Sequence, residues 1–249
     1  MAIKKLLLRS KAIKRLVANA IIIISNVIPF KKLVSLGKHL KYSKVFRDAE
    51  LIYSDKGYWM IEPMPSDADL AKYYSNIYWD NFHDGKNDGI EPRAIEQFIF
   101  INENIEIDTK NSKNILNFGA GEGGISKLFH LNEWKVTNVE PSLMADFNWN
   151  KVDKIEDTNE EFDILFSSHS LEHVNDLDKY LKLFEDRIKP GGYLFIEVPD
   201  CKNSHEIASP HTYYFTKKFF TTLSFNVLYL NEDLDCYNEK VIRYIGQKI

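Results

Sequence analysis

The stretch NILNFGAGEGG, residues 114–124, decides the fold of this chain. It joins a short apolar run to a loop with four glycines, and the helical sequence ISKLFHL follows directly. Glycines at this position let the chain turn sharply and let its backbone approach a ligand closely, while the first turn of the next helix offers unpaired N–H groups. The order of strand, glycine loop and helix therefore predicts a ligand-binding loop.

An acidic residue stands where a partner of this loop is expected. Glu140 ends the next predicted strand, KVTNVE, and a carboxylate there can accept hydrogen bonds from both ribose hydroxyls of a nucleoside. Loop and carboxylate together indicate an adenosine-containing cofactor. Since Gly119, Gly121 and Gly124 also fit the dinucleotide fingerprint G-x-G-x-x-G, an NAD-dependent oxidoreductase or epimerase is an alternative.

Beyond residue 114 apolar strands alternate with helices, which predicts an α/β fold with a mostly parallel sheet covered on both faces. The predicted strands are 114–118, 135–140, a short one near Val152, 162–168 and 193–198. Apolar residues that step by three or four from Leu171 to Ile188 predict a helix that ends at the sequence PGG, residues 190–192. The tail, residues 225–249, has two apolar runs around a polar loop, which predicts an antiparallel hairpin at the sheet edge.

Residues 46–110 precede this pattern and are predicted to form a cap or lid. Ser66 with Asp69 three residues on predicts a capped helix start, and Pro92 opens a second helix through Ile105. Between them lies the tyrosine-rich stretch YYSNIYWDNF, residues 73–82, whose aromatic side chains suit either packing or closure over a site.

The first 41 residues contain ten Lys or Arg and no acidic residue. Their apolar run, residues 16–30, is interrupted by polar residues and is shorter than the roughly 20 residues that a spanning helix needs. Two interpretations of residues 1–45 stay open: a basic amphipathic segment on an anionic membrane surface, or helices packed on the remaining domain, residues 111–249, or on a subunit partner. An oligomer is compatible with the second.

The whole-chain totals exclude several classes of protein. Two cysteines in 249 residues lack any paired spacing, so no disulfide framework and no metal site are expected, and a reducing cytoplasm is the predicted location. A net charge of -4 gives no reason to expect a nucleic-acid partner.

Successive motifs give the chain a family resemblance. They are NILNFGAGEGG, VEPS, FDILFSSHSLEHV, IKPGGYLFIEVPD and PHTYYFT, in this order. Together they resemble class I methyltransferases that use S-adenosylmethionine (SAM), and within these the branch that methylates sugars, surface polysaccharides and small metabolites. The resemblance implies a Rossmann-like, seven-stranded sheet. Two departures are the missing cysteine zinc cluster of some relatives and Asn117, where the family usually has an acidic residue.

The resemblance also implies a set of SAM-binding residues. The loop would border the methionine part of SAM, Glu140 would hold the ribose, and the strand ends would line the adenine and methyl regions. The predicted cofactor-binding residues are Asn117, Gly119, Ala120, Gly121, Gly123, Glu140, Pro141, Asp153, Lys154, Ser168, His169 and Leu171, with Ser142 beside the adenine.

Methyl transfer to a hydroxyl calls for positioning along the S–C axis and for a base. His211 is the preferred base, with Asp200 and His169 as alternatives, while His173 and His205 are further histidines of this region. The predicted function is methylation of a hydroxyl of a sugar, a nucleotide-sugar or a similar polar metabolite. Besides the NAD-dependent enzyme, the alternative is a catalytically silent SAM-fold subunit, which Asn117 and the basic N-terminal segment motivate.

Overall fold

The structure is a computed structural model of the chain, and it describes residues 46, 49–74, 90–107, 113–141, 150–201 and 211–249. The predicted N-terminal segment at residues 1–45, Ser142, His205 and most of the tyrosine-rich stretch lie outside the described residues. Asp48–Ile249 form one compact unit.

A mixed sheet of seven strands forms the centre of the described unit. Its strands are β3 (Asn114–Phe118), β4 (Lys135–Val139), β5 (Lys151–Val152), β6 (Phe162–Ser168), β7 (Ile188–Pro199), β9 (Asn226–Leu234) and β10 (Lys240–Gln247), in the order β5-β4-β3-β6-β7-β10-β9. The first five in this order are parallel, and β10 pairs antiparallel with both β7 and β9. The predicted Rossmann-like sheet and its antiparallel C-terminal hairpin are confirmed.

Both faces of the central strands of this sheet are buried. Ile115 and Leu116 are neighbours on β3, and they belong to separate apolar clusters because successive side chains point to opposite faces. The helices that cover the sheet are α2 (Pro92–Asn104) and α3 (Gly124–Leu131) on the Ile115 side, and α4 (Leu177–Arg187) on the Leu116 side. This double cover explains the nearly continuous apolar runs of the parallel strands.

One helix is shorter than the sequence predicts. The apolar spacing from Leu171 to Ile188 predicts a single helix, but residues 171–173 form one turn of 3-10 helix, and α4 begins only at Leu177. The Asp176 side chain accepts a hydrogen bond from the backbone N–H of Lys179 (3.0 Å), so a polar cap fixes the start of α4. Ile188 already belongs to β7, which is longer than the predicted strand at residues 193–198.

A second, three-stranded antiparallel sheet lies outside the predicted elements. It contains β1 (Glu50–Ser54), β2 (Tyr58–Glu62) and β8 (Tyr213–Phe215), with Met60 opposite Tyr213. A short helix, α5 (Lys217–Phe220), follows β8. The small sheet therefore ties a segment before the glycine loop to one that is some 150 residues further along the chain.

The capping prediction for the first helix is confirmed. Helix α1 (Asp67–Tyr73) begins after Ser66, whose hydroxyl accepts a hydrogen bond from the N–H of Asp69 at 3.2 Å. Pro92 begins α2 as its spacing indicates. Among the helices of the described residues, none is long and apolar enough to cross a membrane.

Candidate active site

A cavity of about 690 Å³ lies at the carboxyl ends of β3, β4, β5 and β6. This size is in the range of small-molecule sites, and parallel sheets place their ligands at this edge. The predicted cofactor residues that line it are Asn117, Gly119, Ala120, Gly121, Gly123, Glu140, Pro141, Asp153, Lys154, Ser168 and His169. The cavity thus brings together residues from the ends of four strands.

The glycine loop takes a conformation that other residues rarely adopt. Gly119, Gly121 and Gly123 have φ values of 72°, 53° and 71°, in the left-handed region. A Cβ atom at Gly119 would lie 2.0 Å from the hydroxyl oxygen of Ser170, whereas one at Gly121 would meet no atom within 4 Å. Gly119 is therefore required by packing, and Gly121 leaves room beside the backbone.

The carboxylate of Glu140 lies directly against this loop. Its Oε2 accepts a hydrogen bond from the N–H of Gly121 at 2.9 Å. The backbone N–H of Glu140 donates to the carbonyl of Val152 (3.0 Å), which anchors the residue between β4 and β5. Loop and carboxylate are neighbours in space, as their positions at adjacent strand ends predict.

Asn117 is buried on β3 and takes part in a neutral hydrogen-bond chain. Its Nδ2 donates to the hydroxyl of Ser126 at 2.8 Å, and that hydroxyl donates to Oδ1 of Asn138 on β4 at 2.5 Å. All three side chains are almost fully buried. Because an ionised carboxylate could not donate to Ser126 as the amide does, the sequence departure at this position is matched by its surroundings.

Ser168 and Leu171 were both expected to line the cavity. Ser168 does so, and its hydroxyl accepts a hydrogen bond from Nε2 of Gln97 at 2.8 Å. Leu171 is fully buried in the apolar cluster beneath the cavity and is not one of the lining residues.

His169 lines the cavity between two carboxylates. Its Nδ1 lies 3.6 Å from Glu172 and its Nε2 lies 3.5 Å from Glu197. Its φ of 48° is unusual for a residue with a side chain, and its N–H donates to the carbonyl of Glu197 at 2.9 Å. Burial acts to lower the pKa of His169, but the two nearby carboxylates outweigh it and raise the pKa.

A buried polar group that the family motifs do not indicate supports His169 from below. Glu197 on β7 accepts hydrogen bonds from Nε2 of Gln97 (2.7 Å) and from Nε of Arg243 (2.6 Å). Burial acts to raise the pKa of Glu197, yet His169 and Arg243 lower it overall. The available signal was one acidic residue within the apolar strand YLFIEV and one basic residue within VIRYIG, which face each other across β7 and β10.

The preferred base, His211, lies behind the cavity wall. Its ring packs edge-on against His173 with ring centroids 4.9 Å apart, and His173 lines the cavity whereas His211 does not. Burial, together with His173 and His169, holds the pKa of His211 well below its usual value. Asp200, the alternative base, is also absent from the lining, and its backbone N–H donates to the carbonyl of Lys240 beside the β7–β10 pairing.

Tyr213 and Lys217 have the Y-x-x-x-K spacing of short-chain dehydrogenases, but they are separated from the cavity. Tyr213 is buried on β8, where its hydroxyl accepts a hydrogen bond from the N–H of Leu177 and donates to the carbonyl of Asn175, both at 3.3 Å. Neither Tyr213 nor Lys217 lines the cavity. Tyr213 and Lys217 are therefore not at the site where an NAD-dependent reaction would need them.

Comparison with known proteins agrees with this geometry. A family profile described as a methyltransferase domain matches residues 93–219. A ubiquinone biosynthesis O-methyltransferase of Brucella ovis is 29% identical over 62 residues, which are 25% of this chain and 25% of that protein. The matched part thus spans about a quarter of the length of such curated relatives.

Solved structures show the same fold at low identity. A 1,6-didemethyltoxoflavin-N1-methyltransferase of Burkholderia thailandensis superposes with a TM-score of 0.54 at 15% identity, covering 80% of this chain and 99% of that one. A geranyl diphosphate C-methyltransferase of Streptomyces coelicolor A3(2) gives a TM-score of 0.54 at 12% identity, covering 73% and 98%. With the family profile matching half of its length, the chain belongs to the methyltransferase-domain family and has the class I, SAM-dependent fold.

Proposed function

We propose that this chain transfers the methyl group of SAM to a hydroxyl oxygen of a sugar or a similarly polar metabolite. One observation carries the proposal: a single cavity has the glycine loop and Glu140 at one side and the histidines His169 and His173 at another. The first group suits an adenosyl cofactor, and the second suits a hydroxyl that must lose a proton. We call these the cofactor half and the acceptor half.

In the cofactor half, Glu140 would accept the ribose hydroxyls and the loop would border the methionine part. Pro141, Asp153 and Lys154 would border the adenine, since they line the cavity beyond Glu140. Asn117 lies beneath the loop, where its neutral hydrogen-bond chain holds β3 against α3. The solved neighbour from Burkholderia was crystallised with S-adenosylhomocysteine, which supports the same class of cofactor here.

The charge of the cavity lining bears on the acceptor. Six acidic side chains and three basic ones line it, the acidic ones being Asp67, Glu91, Glu122, Glu140, Asp153 and Glu156. Two of the basic ones are already paired: Arg93 with Asp235 at 2.6 Å, and Lys179 with Glu156, one of the six acids, at 2.7 Å, which leaves five acidic side chains against Lys154. Such a lining favours the cationic SAM and a neutral acceptor over the diphosphate of a nucleotide-sugar, because like charges repel in a confined site.

For the reaction, the acceptor oxygen would attack the methyl carbon while the S–C bond breaks and sulfur keeps the electron pair. The acceptor proton must leave as the new C–O bond forms. We assign this proton to His169, because it lines the cavity, whereas His211 and Asp200 do not. The O-methyltransferase from Brucella, a partial relative, supports oxygen as the methylated atom.

The remaining parts of the proposal concern the cell. A role in surface-polysaccharide synthesis in the cytoplasm follows from the motif resemblance, with residues 46–110 as a cap and residues 111–249 as the catalytic part. Asp67, Tyr74 and Arg93 of residues 46–110 line the cavity, which supports a role for this region in covering the site. The acid-free residues 1–40 would hold the enzyme to an anionic membrane surface. Sedimentation with anionic liposomes at low salt tests this, and unbound protein would refute it.

The decisive experiment compares cofactors and then acceptors. Calorimetric titration should show SAM binding and no NAD binding, and Glu140→Gln should weaken SAM binding while the surface variant Glu103→Gln leaves it unchanged. Release of S-adenosylhomocysteine is then measured with a panel of neutral sugars, nucleotide-sugars and phenols. Binding of NAD instead of SAM would refute the proposal, and turnover with nucleotide-sugars alone would refute the charge argument.

A further inference from the structure

Three side chains beside the acceptor half form a group with the ligand types of a metal centre. One ligand atom from each of Glu172, His173 and His211 lies within 4.8 Å of the other two. Two imidazoles and one carboxylate are the ligand set of many catalytic zinc sites, which leave a fourth position open. The cysteine spacing of the sequence gave no hint of this group, since β8 brings His211 to it from 38 residues further along the chain.

The carboxylate of Glu172 supplies a second, independent observation. Glu172 is only 1% exposed, and within the described part of the chain neither of its carboxylate oxygens has a hydrogen-bond partner. The nearest cationic candidates are Nδ1 of His169 at 3.6 Å and Nε2 of His173 at 3.9 Å, both beyond hydrogen-bond length. A buried carboxylate without donors is costly, so the arrangement calls for a cation.

The backbone around the group is firmly held. Thr212 is fully buried, its N–H donates to the carbonyl of Glu172 at 2.8 Å, and its hydroxyl contacts the carbonyls of Glu172 and Val174 at 2.9 and 2.5 Å. These bonds fasten the residue after His211 to the turn that carries Glu172 and His173. The three ligand types are therefore presented together by the fold.

We propose that Glu172, His173 and His211 bind a divalent transition-metal ion of the Zn²⁺ type. Bonds of roughly 2.0–2.2 Å to zinc place ligand atoms closer together than the present spacing, so the side chains would draw inward on binding. Because His173 also lines the cavity, the open position would face the acceptor half. In the reaction proposed above, the ion would polarise the acceptor oxygen and ease loss of its proton, and only this role rests on the proposed function.

Direct metal binding to the full chain tests the site. Protein freed of metal with a chelator is titrated with Co²⁺, followed by its visible absorption bands, and Zn²⁺ is then added as competitor. One equivalent of Co²⁺ should bind and be displaced by Zn²⁺. Glu172→Gln and His211→Ala should abolish the bands, while His130→Ala, an exposed histidine on α3, should retain them.

A milder substitution tests the site in case the ligand variants fail to fold. Thr212→Val keeps the ligands but removes the hydroxyl that contacts the two carbonyls, and we expect about 10–100-fold weaker Co²⁺ binding. Circular dichroism and SAM titration on every variant report whether the fold is intact. Absence of Co²⁺ binding in the parent chain, or equal binding in folded Glu172→Gln, would overturn the proposal.

The same samples separate this inference from the proposed function. If the chain binds SAM and forms product but binds no Co²⁺, only the metal-site proposal is refuted. If the chain binds one Co²⁺ through these residues but neither binds SAM nor releases S-adenosylhomocysteine, the metal site is supported and the proposed function is refuted.

Discussion

The two halves of the cavity are built in different ways. The cofactor half comes from consecutive elements, because β3, the glycine loop, α3 and β4 follow one another and place Gly121 beside Glu140. The acceptor half is assembled from distant segments, with Glu197 held by Gln97 from α2 and by Arg243 from β10. Local order therefore shapes one half, and contacts of long sequence separation shape the other.

The largest effect should come from the acceptor half. We expect His169→Ala to lower kcat by about 10²–10⁴-fold, because it removes a base, and to change SAM affinity far less. His130→Ala is the matched control and should keep full activity. Stopped-flow or coupled assays of S-adenosylhomocysteine release measure kcat, and SAM titration measures the affinity. A loss confined to SAM affinity would show that His169 serves cofactor binding and not proton removal.

The next effect tests whether the long-range support is structural. Glu197→Ala removes one of the two carboxylates that pair with the buried Arg243 and leaves only Glu96, at 2.6 Å, so the free energy of unfolding should fall by about 3 kcal/mol, the lower end for a broken buried pair. Glu160→Ala removes a carboxylate of an exposed ion pair with Lys135 and should cost less than about 1 kcal/mol. Urea unfolding of the two variants measures the contrast, and equal losses would show that burial of the Glu197 pair is unimportant.

A third effect divides the cofactor half itself. Gly119→Ala combines a left-handed φ with a clash against Ser170, so we expect about 2–4 kcal/mol of lost stability. Gly121→Ala meets no atom and should cost only about 1–2 kcal/mol, the penalty of its φ. Thermal unfolding gives these values, and SAM titration should show weakened binding for both. A Gly119→Ala chain as stable as the parent would remove packing as the reason for that glycine.

The smallest expected effect is on stability, and it is confined to acidic pH. Burial acts to raise the pKa of Asp235, but hydrogen bonds from Arg93 and from backbone N–H groups outweigh it and lower the pKa. A carboxyl whose pKa is lower in the folded state stabilises the protein above its unfolded pKa of about 3.9, and this contribution is lost as the pH falls further. Unfolding measured from pH 6 to 3 should therefore show a weaker acid dependence in Asp235→Asn, and an unchanged slope would contradict this.

The different construction of the two halves also explains which features could be predicted from the sequence. The strand limits at residues 114–118 and 162–168 follow from apolar runs, and the contact of Gly121 with Glu140 follows from adjacent strand ends. The helix that the spacing predicts for residues 171–188 is longer than the observed one. The apolar spacing continues through the 3-10 turn, whereas the cap at Asp176 sets the start of α4.

Other features had no local signal. The pairing of β8 with β2 joins residues about 155 positions apart, and no periodicity in PHTYYFT reveals its partner. For the same reason, the sequence could name His211 as a candidate but not show that its ring lies behind His173. Residues outside the family motifs, such as Gln97 and Arg243, were missed because each makes sense only beside Glu197.

The small sheet limits where the chain can be shortened. The family profile begins at residue 93, so a fragment that starts there would keep β8 but lose β1 and β2. Its tyrosines and phenylalanine would then form a bare strand edge, which invites association between molecules. The turn bearing Glu172 would also lose the neighbour that steadies Thr212, since Ile61 donates to the carbonyl of that threonine at 3.0 Å. A protein expressed from residue 93 should therefore aggregate and be inactive, whereas one expressed from about residue 48 retains the whole compact unit.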